Sequence, residues 1–106
     1  MISQPLVVLT TLGSAEAARR LVRELVDERL VACGNVLPGV TSIYRWQGAV
    51  QEEAEVLVVL KTTGARWNAL RDAVRQRHPY EVPELLALPV SHALEPYAAW
   101  LARETA

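Results

Sequence analysis

The sequence predicts an α+β fold of the ferredoxin-like type, a βαββαβ sandwich in which helices cover one face of a four-stranded sheet. Apolar β-branched runs alternate along the chain with amphipathic segments of helical period, and two of the runs are neighbours in sequence. Right-handed crossovers leave few other ways to connect these elements. Because 106 residues suffice for one sizeable core, we expect a single domain over residues 1–106, closed by a short third helix.

The first strand and the first helix have the clearest patterns. Residues 6–11 form a continuous apolar run, which is typical of a strand buried on both faces. Ser14 follows a glycine and is suited to cap the N-terminus of a helix. Over residues 15–30 apolar side chains recur at spacings of three and four, so this segment is predicted to be an amphipathic helix.

The two central strands are predicted to be unusually long. Residues 32–47 form one of them, and the pair Pro38-Gly39 within it predicts a bulge or bend. Gly48 marks the turn, and residues 51–62 form the other strand. Their tips must project beyond a four-stranded core, and projecting strand edges need cover from another chain. We therefore predict a closed homo-oligomer joined by β-pairing between subunits.

The C-terminal half supplies the remaining elements. Residues 65–77 have a helical period, and His78-Pro79 ends that helix because proline disfavours helical geometry in the residue before it. Residues 84–90 are predicted to form the fourth strand, and residues 95–103 the closing helix.

Composition argues against several classes of partner. A formal net charge of −1 provides no broad basic surface for nucleic acid. No apolar stretch approaches the roughly 20 residues that span a bilayer, and the first residues lack the basic start of a secretory signal. Cys33 is the only cysteine, so no disulfide framework is available within the chain. We expect a cytoplasmic protein without nucleic-acid or membrane partners.

Residues 78–84, with the sequence HPYEVPE, are called the proline segment here and are the main functional candidate. The two prolines fix their own φ angles and hold the polar side chains on an extended, rigid backbone. One interpretation is that the segment presents those groups to a ligand. The other is that it connects a helix to a strand and its polar groups satisfy one another. The residue pattern leaves both open.

Five stretches of the chain together match one family pattern. They are LVACGN at 30–35, PGVTSIYRWQG at 38–48, EVLVVLKTT at 55–63, HPYEVPE at 78–84, and Trp100. In order and spacing they resemble the CutA divalent-cation tolerance proteins. The resemblance implies a homotrimer of ferredoxin-like subunits, similar in shape to the PII signalling trimers. It also implies a part in the response to metal ions, with copper as the cation usually attached to the family.

The resemblance also implies a metal site. Cys33 and His78 match positions at which the family is thought to hold copper, and thiolate and imidazole are suitable copper ligands. Some bacterial relatives have a further cysteine where this chain has Thr10, and a further histidine where it has Arg77. We therefore expect weak binding of copper or another divalent cation through Cys33 and His78, aided by nearby carboxylates.

The alternative is a signalling or scaffold trimer that binds a small metabolite or a partner protein in clefts between subunits. Aromatic and charged side chains suited to line such a cleft are Tyr44, Trp46, Lys61, Tyr80, Glu81 and Glu84. The aromatic pair could instead pack at the subunit interface. Since neither a nucleophile with a partnering base nor a cofactor fingerprint is evident, we expect no enzymatic activity.

Overall fold

The computed structural model describes residues 4–106 and contains one four-stranded antiparallel sheet with three α-helices. The elements are β1 (Pro5–Leu12), α1 (Ala15–Asp27), β2 (Cys33–Trp46), β3 (Ala49–Thr63), α2 (Trp67–Arg77), β4 (Leu86–Pro89) and α3 (Glu95–Glu104). The strand order is β2-β3-β1-β4. The predicted α+β fold is therefore confirmed. Residues 1–3 lie outside the described residues. The prediction that the first residues are not a secretory signal falls partly on them.

Helix α1 begins as predicted and ends three residues early. The hydroxyl of Ser14 accepts a hydrogen bond from the backbone N–H of Ala17 at 3.1 Å, which caps the helix. At the other end Arg29 takes a φ of 59°, and the N–H of Leu30 bonds to the carbonyl of Leu25 at 3.0 Å. The left-handed residue ends the helix and turns the chain, yet Leu30 is still buried. The apolar spacing therefore continues beyond the last helical residue, which is why the predicted helix was too long.

Strands β2 and β3 contain both predicted irregularities. Their register shifts between Leu37 and Val40, and Gly39 has a φ of 82°, which confirms a bulge. At the tip Gln47 and Gly48 both have positive φ, as a two-residue type I′ turn requires. Because that turn is so tight, Gln47 leaves the strand and β3 begins two residues earlier than expected.

The second half differs from the prediction mainly in β4. A 3-10 turn over Gly64–Arg66 precedes α2, and α2 ends at Arg77 as expected. Strand β4 pairs with β1 only over Leu86–Pro89, so the predicted strand over residues 84–90 was too long. Glu84 lies in the loop before the strand, directly after Pro83, which has no N–H to donate to a ladder.

The core lies between the sheet and helices α1 and α2. Its fully buried side chains include Val8, Leu12, Leu25, Val31, Val58, Leu60, Leu70 and Val74. Gly34 permits the closest approach, because a Cβ there would lie 2.8 Å from Val22 and 2.9 Å from Leu60. No helix among residues 4–106 is both long and apolar enough to cross a membrane.

Residues 40–55 form a projecting hairpin arm. Strand β1 pairs with β3 only from Val56 to Thr63, so the earlier part of β3 is paired with β2 alone. The arm exposes Ile43 (65%) and Val50 (64%), and the subunit measures 46 × 26 × 23 Å. An isolated two-stranded ribbon is marginally stable in water. The predicted projection is present, and its cover by another subunit stays a prediction.

Candidate binding cleft

A cavity of about 550 Å³, which we call the acidic cleft, lies between the hairpin arm and the proline segment. It contains most of the residues predicted for a binding cleft, namely Tyr44, Trp46, Tyr80, Glu81 and Glu84. Residues that the sequence analysis did not select also line it, namely Thr11, Ser42, Ile43, Glu53, Glu55 and Val82. Its size falls in the range of small-ligand pockets.

Strand period and register bring one wall of the cleft together. Tyr44 and Trp46 are two residues apart on β2, so their side chains leave the same face of the strand. Glu53 lies opposite Ser42, which shares that face, and Glu55 is two residues further along β3. The hairpin arm therefore presents aromatic rings and carboxylates on one surface.

The opposite wall is joined to this surface through Tyr80. Its hydroxyl donates to Glu55 Oε2 at 2.8 Å. Burial, followed by the hydrogen bond to Glu55 and the negative charge around it, raises the pKa of Tyr80 to about 12. Glu55 is only 9% exposed, and its other oxygen has no hydrogen-bond or salt-bridge partner among the described residues. That oxygen is accessible from the cleft, because Thr10 Oγ1 is the one buried side-chain oxygen without a partner among the described residues.

The electrostatic potential of the acidic cleft is negative. Four carboxylates line it, and no lysine or arginine of residues 4–106 does so. The pKa of Tyr44 is raised by burial and then by interaction with Glu53 and Glu55. Such a cleft attracts cations and repels anionic ligands.

His78 anchors the proline segment to the sheet. Its Nε2 lies 2.7 Å from the carbonyl oxygen of Thr11, and its Nδ1 accepts from the backbone N–H of Tyr80 at 3.1 Å. A tautomer with the proton on Nε2 satisfies both bonds, and the ring meets the Tyr80 ring edge-on at 4.7 Å. The side chain is 7% exposed. With both nitrogens bonded to backbone, His78 has no free lone pair for a metal ion.

Cys33 lies far from His78. It pairs with Lys61 on β3, whereas His78 contacts Thr11, which pairs with Leu57. Four residues of β3 separate those positions, which corresponds to about 13 Å along a strand. Among residues 4–106 no group of three or more Cys, His, Asp and Glu side chains could hold a metal ion. Within one subunit, register therefore places Cys33 and His78 apart, and cation binding through these two residues stays a prediction.

Lys61 also lies outside the acidic cleft. Its ammonium donates to Asn35 Oδ1, and it lines a second cavity of about 330 Å³ together with His92 and Tyr97. The Tyr97 hydroxyl is 3.7 Å from Cys33 Sγ, and this contact is the main cause that raises the pKa of Tyr97. Within one subunit Lys61 therefore lines the second cavity and not the acidic cleft, and its place in a cleft between subunits stays a prediction.

The carboxylates Glu53 and Glu55 were missed by the sequence analysis. Their spacing of two residues on a predicted strand is the signal that could have placed both side chains on one face. Which face of β2 they meet depends on the bulge between Leu37 and Val40, because one extra residue changes the pairing of everything beyond it. The two-residue spacing can be read from the sequence, whereas the residues of β2 that these carboxylates face cannot.

Comparison with known proteins places this geometry in a family. The family model for the CutA1 divalent ion tolerance protein matches residues 6–104. The Divalent-cation tolerance protein CutA of Thermus thermophilus is 48% identical over 99 residues, which cover 93% of this chain and 96% of the relative.

Solved structures have the same fold. CutA1 from Oryza sativa superposes with a TM-score of 0.95 at 38% identity, covering 99% of this chain and 96% of that one. The periplasmic divalent cation tolerance protein CutA from Archaeoglobus fulgidus gives 0.93 at 26% identity, covering 96% and 99%. From the family match and the extent of these likenesses, the chain belongs to the CutA1 divalent ion tolerance family.

Proposed function

We propose that this chain is a non-enzymatic, cytoplasmic homotrimer that binds a divalent cation weakly and contributes to the response to metal ions. The observation that carries the proposal is the acidic cleft, which is lined by Glu53, Glu55, Glu81 and Glu84 and by no basic side chain from the described residues. A bound cation would supply the positive partner that the Glu55 carboxylate lacks among the described residues.

The donor set favours a hard cation in this cleft. Carboxylate oxygens are the ligands of Mg²⁺, Ca²⁺ and Mn²⁺, whereas copper prefers sulfur and nitrogen. The four carboxylates are divided between β3 and the proline segment, and no three of them converge on one point within the subunit. Water or a neighbouring subunit must complete the coordination, so the affinity is low.

The hairpin arm supports the proposal of a trimer. The free edges of the sheet are β2 and β4, and β4 exposes Leu86 and Leu88. Pairing of an arm with an edge of the next subunit would cover both, as closed cyclic symmetry allows. In such an assembly the acidic cleft, which the arm borders, lies at or near the subunit boundary.

Copper binding is a finer part of this proposal and rests on Cys33 alone. The thiol is partly exposed, so copies from three subunits could cooperate if symmetry brings them together. His78 does not take part because both of its ring nitrogens bond to backbone. A Cu(I) site would therefore be separate from the carboxylate site.

Isothermal titration of the full-length protein tests these assignments. Mn²⁺ should bind the wild type, and Glu55→Gln should weaken it at least fivefold because a carboxylate charge is lost. The matched control Glu16→Gln alters an exposed carboxylate on α1 and should leave the affinity unchanged. The affinity for Cu(I) should fall in Cys33→Ala and stay unchanged in Glu55→Gln. Equal Mn²⁺ affinity in Glu55→Gln and Glu16→Gln would remove the acidic cleft as the cation site.

A further inference from the structure

We infer that the acidic cleft is a binding site for an organic diamine or polyamine. This inference goes beyond the proposed metal binding and uses the same cleft. It rests on three features of the cavity: its uncompensated charge, its aromatic lining, and the division of its carboxylates between two walls.

The uncompensated charge defines the sign of the ligand. Glu55 is more than nine-tenths buried, accepts one hydrogen bond from Tyr80, and leaves its second oxygen without a partner among the described residues. An ammonium group that donated to that oxygen would make a charge-assisted hydrogen bond of about 2.8 Å. An anionic or neutral ligand would leave the carboxylate as it is.

The aromatic lining favours an organic cation over a bare metal ion. Tyr44, Trp46 and Tyr80 all contribute to the cavity, and each is between 36% and 43% exposed. Rings of this kind attract ammonium groups through their π faces and cover attached methylene groups. A tightly held metal ion needs several protein oxygens at one point, and residues 4–106 contain no group of three or more suitable side chains, so a metal ion is held only weakly in this cleft. An alkylammonium ion needs only one carboxylate at each nitrogen.

The placement of the carboxylates favours a ligand with two charges. Glu53 and Glu55 project from β3, whereas Glu81 and Glu84 belong to the proline segment on the other wall. His78 and Tyr80 hold that segment against the end of β1 and the middle of β3, so the separation between the walls is fixed by hydrogen bonds. A chain with an ammonium group at each end can reach both pairs at once.

Calorimetric titration of the full-length protein with 1,4-diaminobutane tests the inference. The wild type should bind it at least fivefold more tightly than n-butylamine, because only the diamine engages both walls. The variants Glu55→Gln and Trp46→Leu should each lower the affinity at least fivefold, and Glu16→Gln should not. Affinity should also fall with rising NaCl, as it does for paired charges in an open cleft.

Two further results separate this inference from metal binding. Trp46→Leu should lower the affinity for 1,4-diaminobutane by a larger factor than the affinity for Mn²⁺, since the ring offers a metal ion no ligand. If Glu55→Gln fails to fold, Glu84→Gln at the rim of the cleft replaces it. No saturable binding of the diamine at millimolar concentration, or equal binding in wild type and Trp46→Leu, would overturn the inference. Mn²⁺ binding without diamine binding would do so and leave the proposed function intact.

Discussion

Replacing Tyr80 by phenylalanine removes the one hydroxyl among the described residues that donates to Glu55. The ring stays, so packing against His78 is preserved and the change is confined to one hydrogen bond. Glu55 is 9% exposed, and the variant leaves its carboxylate without a donor. Hydrogen bonds to charged groups contribute about 1.5–3 kcal/mol, and water in the cleft can offset part of this. We therefore expect a loss of about 1.5 kcal/mol in the free energy of unfolding.

Urea unfolding followed by circular dichroism, at pH 7 and equal protein concentration, measures this loss. Tyr97→Phe is the matched control, because its hydroxyl lies 3.7 Å from the sulfur of Cys33 and contacts no carboxylate. We expect that control to lose less than about 1 kcal/mol. Equal losses in the two variants would refute the reasoning that the Glu55 carboxylate makes the Tyr80 bond strong.

The pH dependence of the same difference gives a second check. The pKa of Tyr80 is raised from its ordinary value near 10 to about 12 in the folded protein. The folded state therefore retains a proton that the unfolded chain loses, so the stabilisation is complete below pH 10 and declines as pH rises towards 12. The gap between wild type and Tyr80→Phe should narrow over that interval. A gap that is constant from pH 8 to 12 would contradict the bond.

Three other substitutions test the fold and the proposal that His78 is not a metal ligand. Gly34→Ala should cost about 1–3 kcal/mol in urea unfolding, because its Cβ would lie under 3 Å from core side chains, whereas Gly13→Ala meets only ordinary contact at 3.4 Å. Arg77→Ala should lower the urea midpoint slightly, and less so in 1 M salt, because the ion pair with Glu28 is exposed. Since the hydrogen bond from Arg77 lowers the pKa of Glu28, this loss should be present above pH 4.5 and fade in acid. His78→Ala should destabilise by about 1–3 kcal/mol while calorimetry finds Cu(II) affinity unchanged within twofold. A Cu(II) affinity that fell tenfold would restore His78 as a ligand.

The regular elements were predictable because each depends on local patterns. Apolar period fixed the helices to within a few residues, and Ser14 marked the start of α1. The end of α1 was not predictable, since Arg29 adopts a left-handed conformation that most side chains avoid while the apolar period continues to Leu30. Turn chemistry of this kind leaves little trace in periodicity.

The candidate site was predicted in part. Tyr44 and Trp46 were placed together by strand period, and the proline segment by its unusual composition. Assigning Glu55 to the same cleft required the pairing register beyond the bulge, which is a tertiary property. Register likewise separates Cys33 from His78, although both are plausible copper ligands when considered as isolated residue types.

The role of His78 illustrates a different limit. The sequence left two interpretations of the proline segment open, presentation of its groups or mutual satisfaction. In the structure each interpretation applies to different residues of the segment. His78 bonds to backbone at both nitrogens and anchors the segment, whereas Glu81 and Glu84 line the acidic cleft. Burial and hydrogen-bond partners decided this, and neither can be derived from residue spacing.

Paramagnetic broadening by Mn²⁺ in a transverse-relaxation-optimised ¹H–¹⁵N spectrum tests the central claim, that the acidic cleft binds cations, most directly. Substoichiometric Mn²⁺ should first broaden the backbone amides of residues 53–55 and those of residues 80–84 that carry an N–H, and an excess of 1,4-diaminobutane should reduce that broadening. Amides near Cys33, at the other end of β3, should keep their intensity. Broadening centred on Cys33, or spread evenly over surface carboxylates such as Glu16, would contradict the claim.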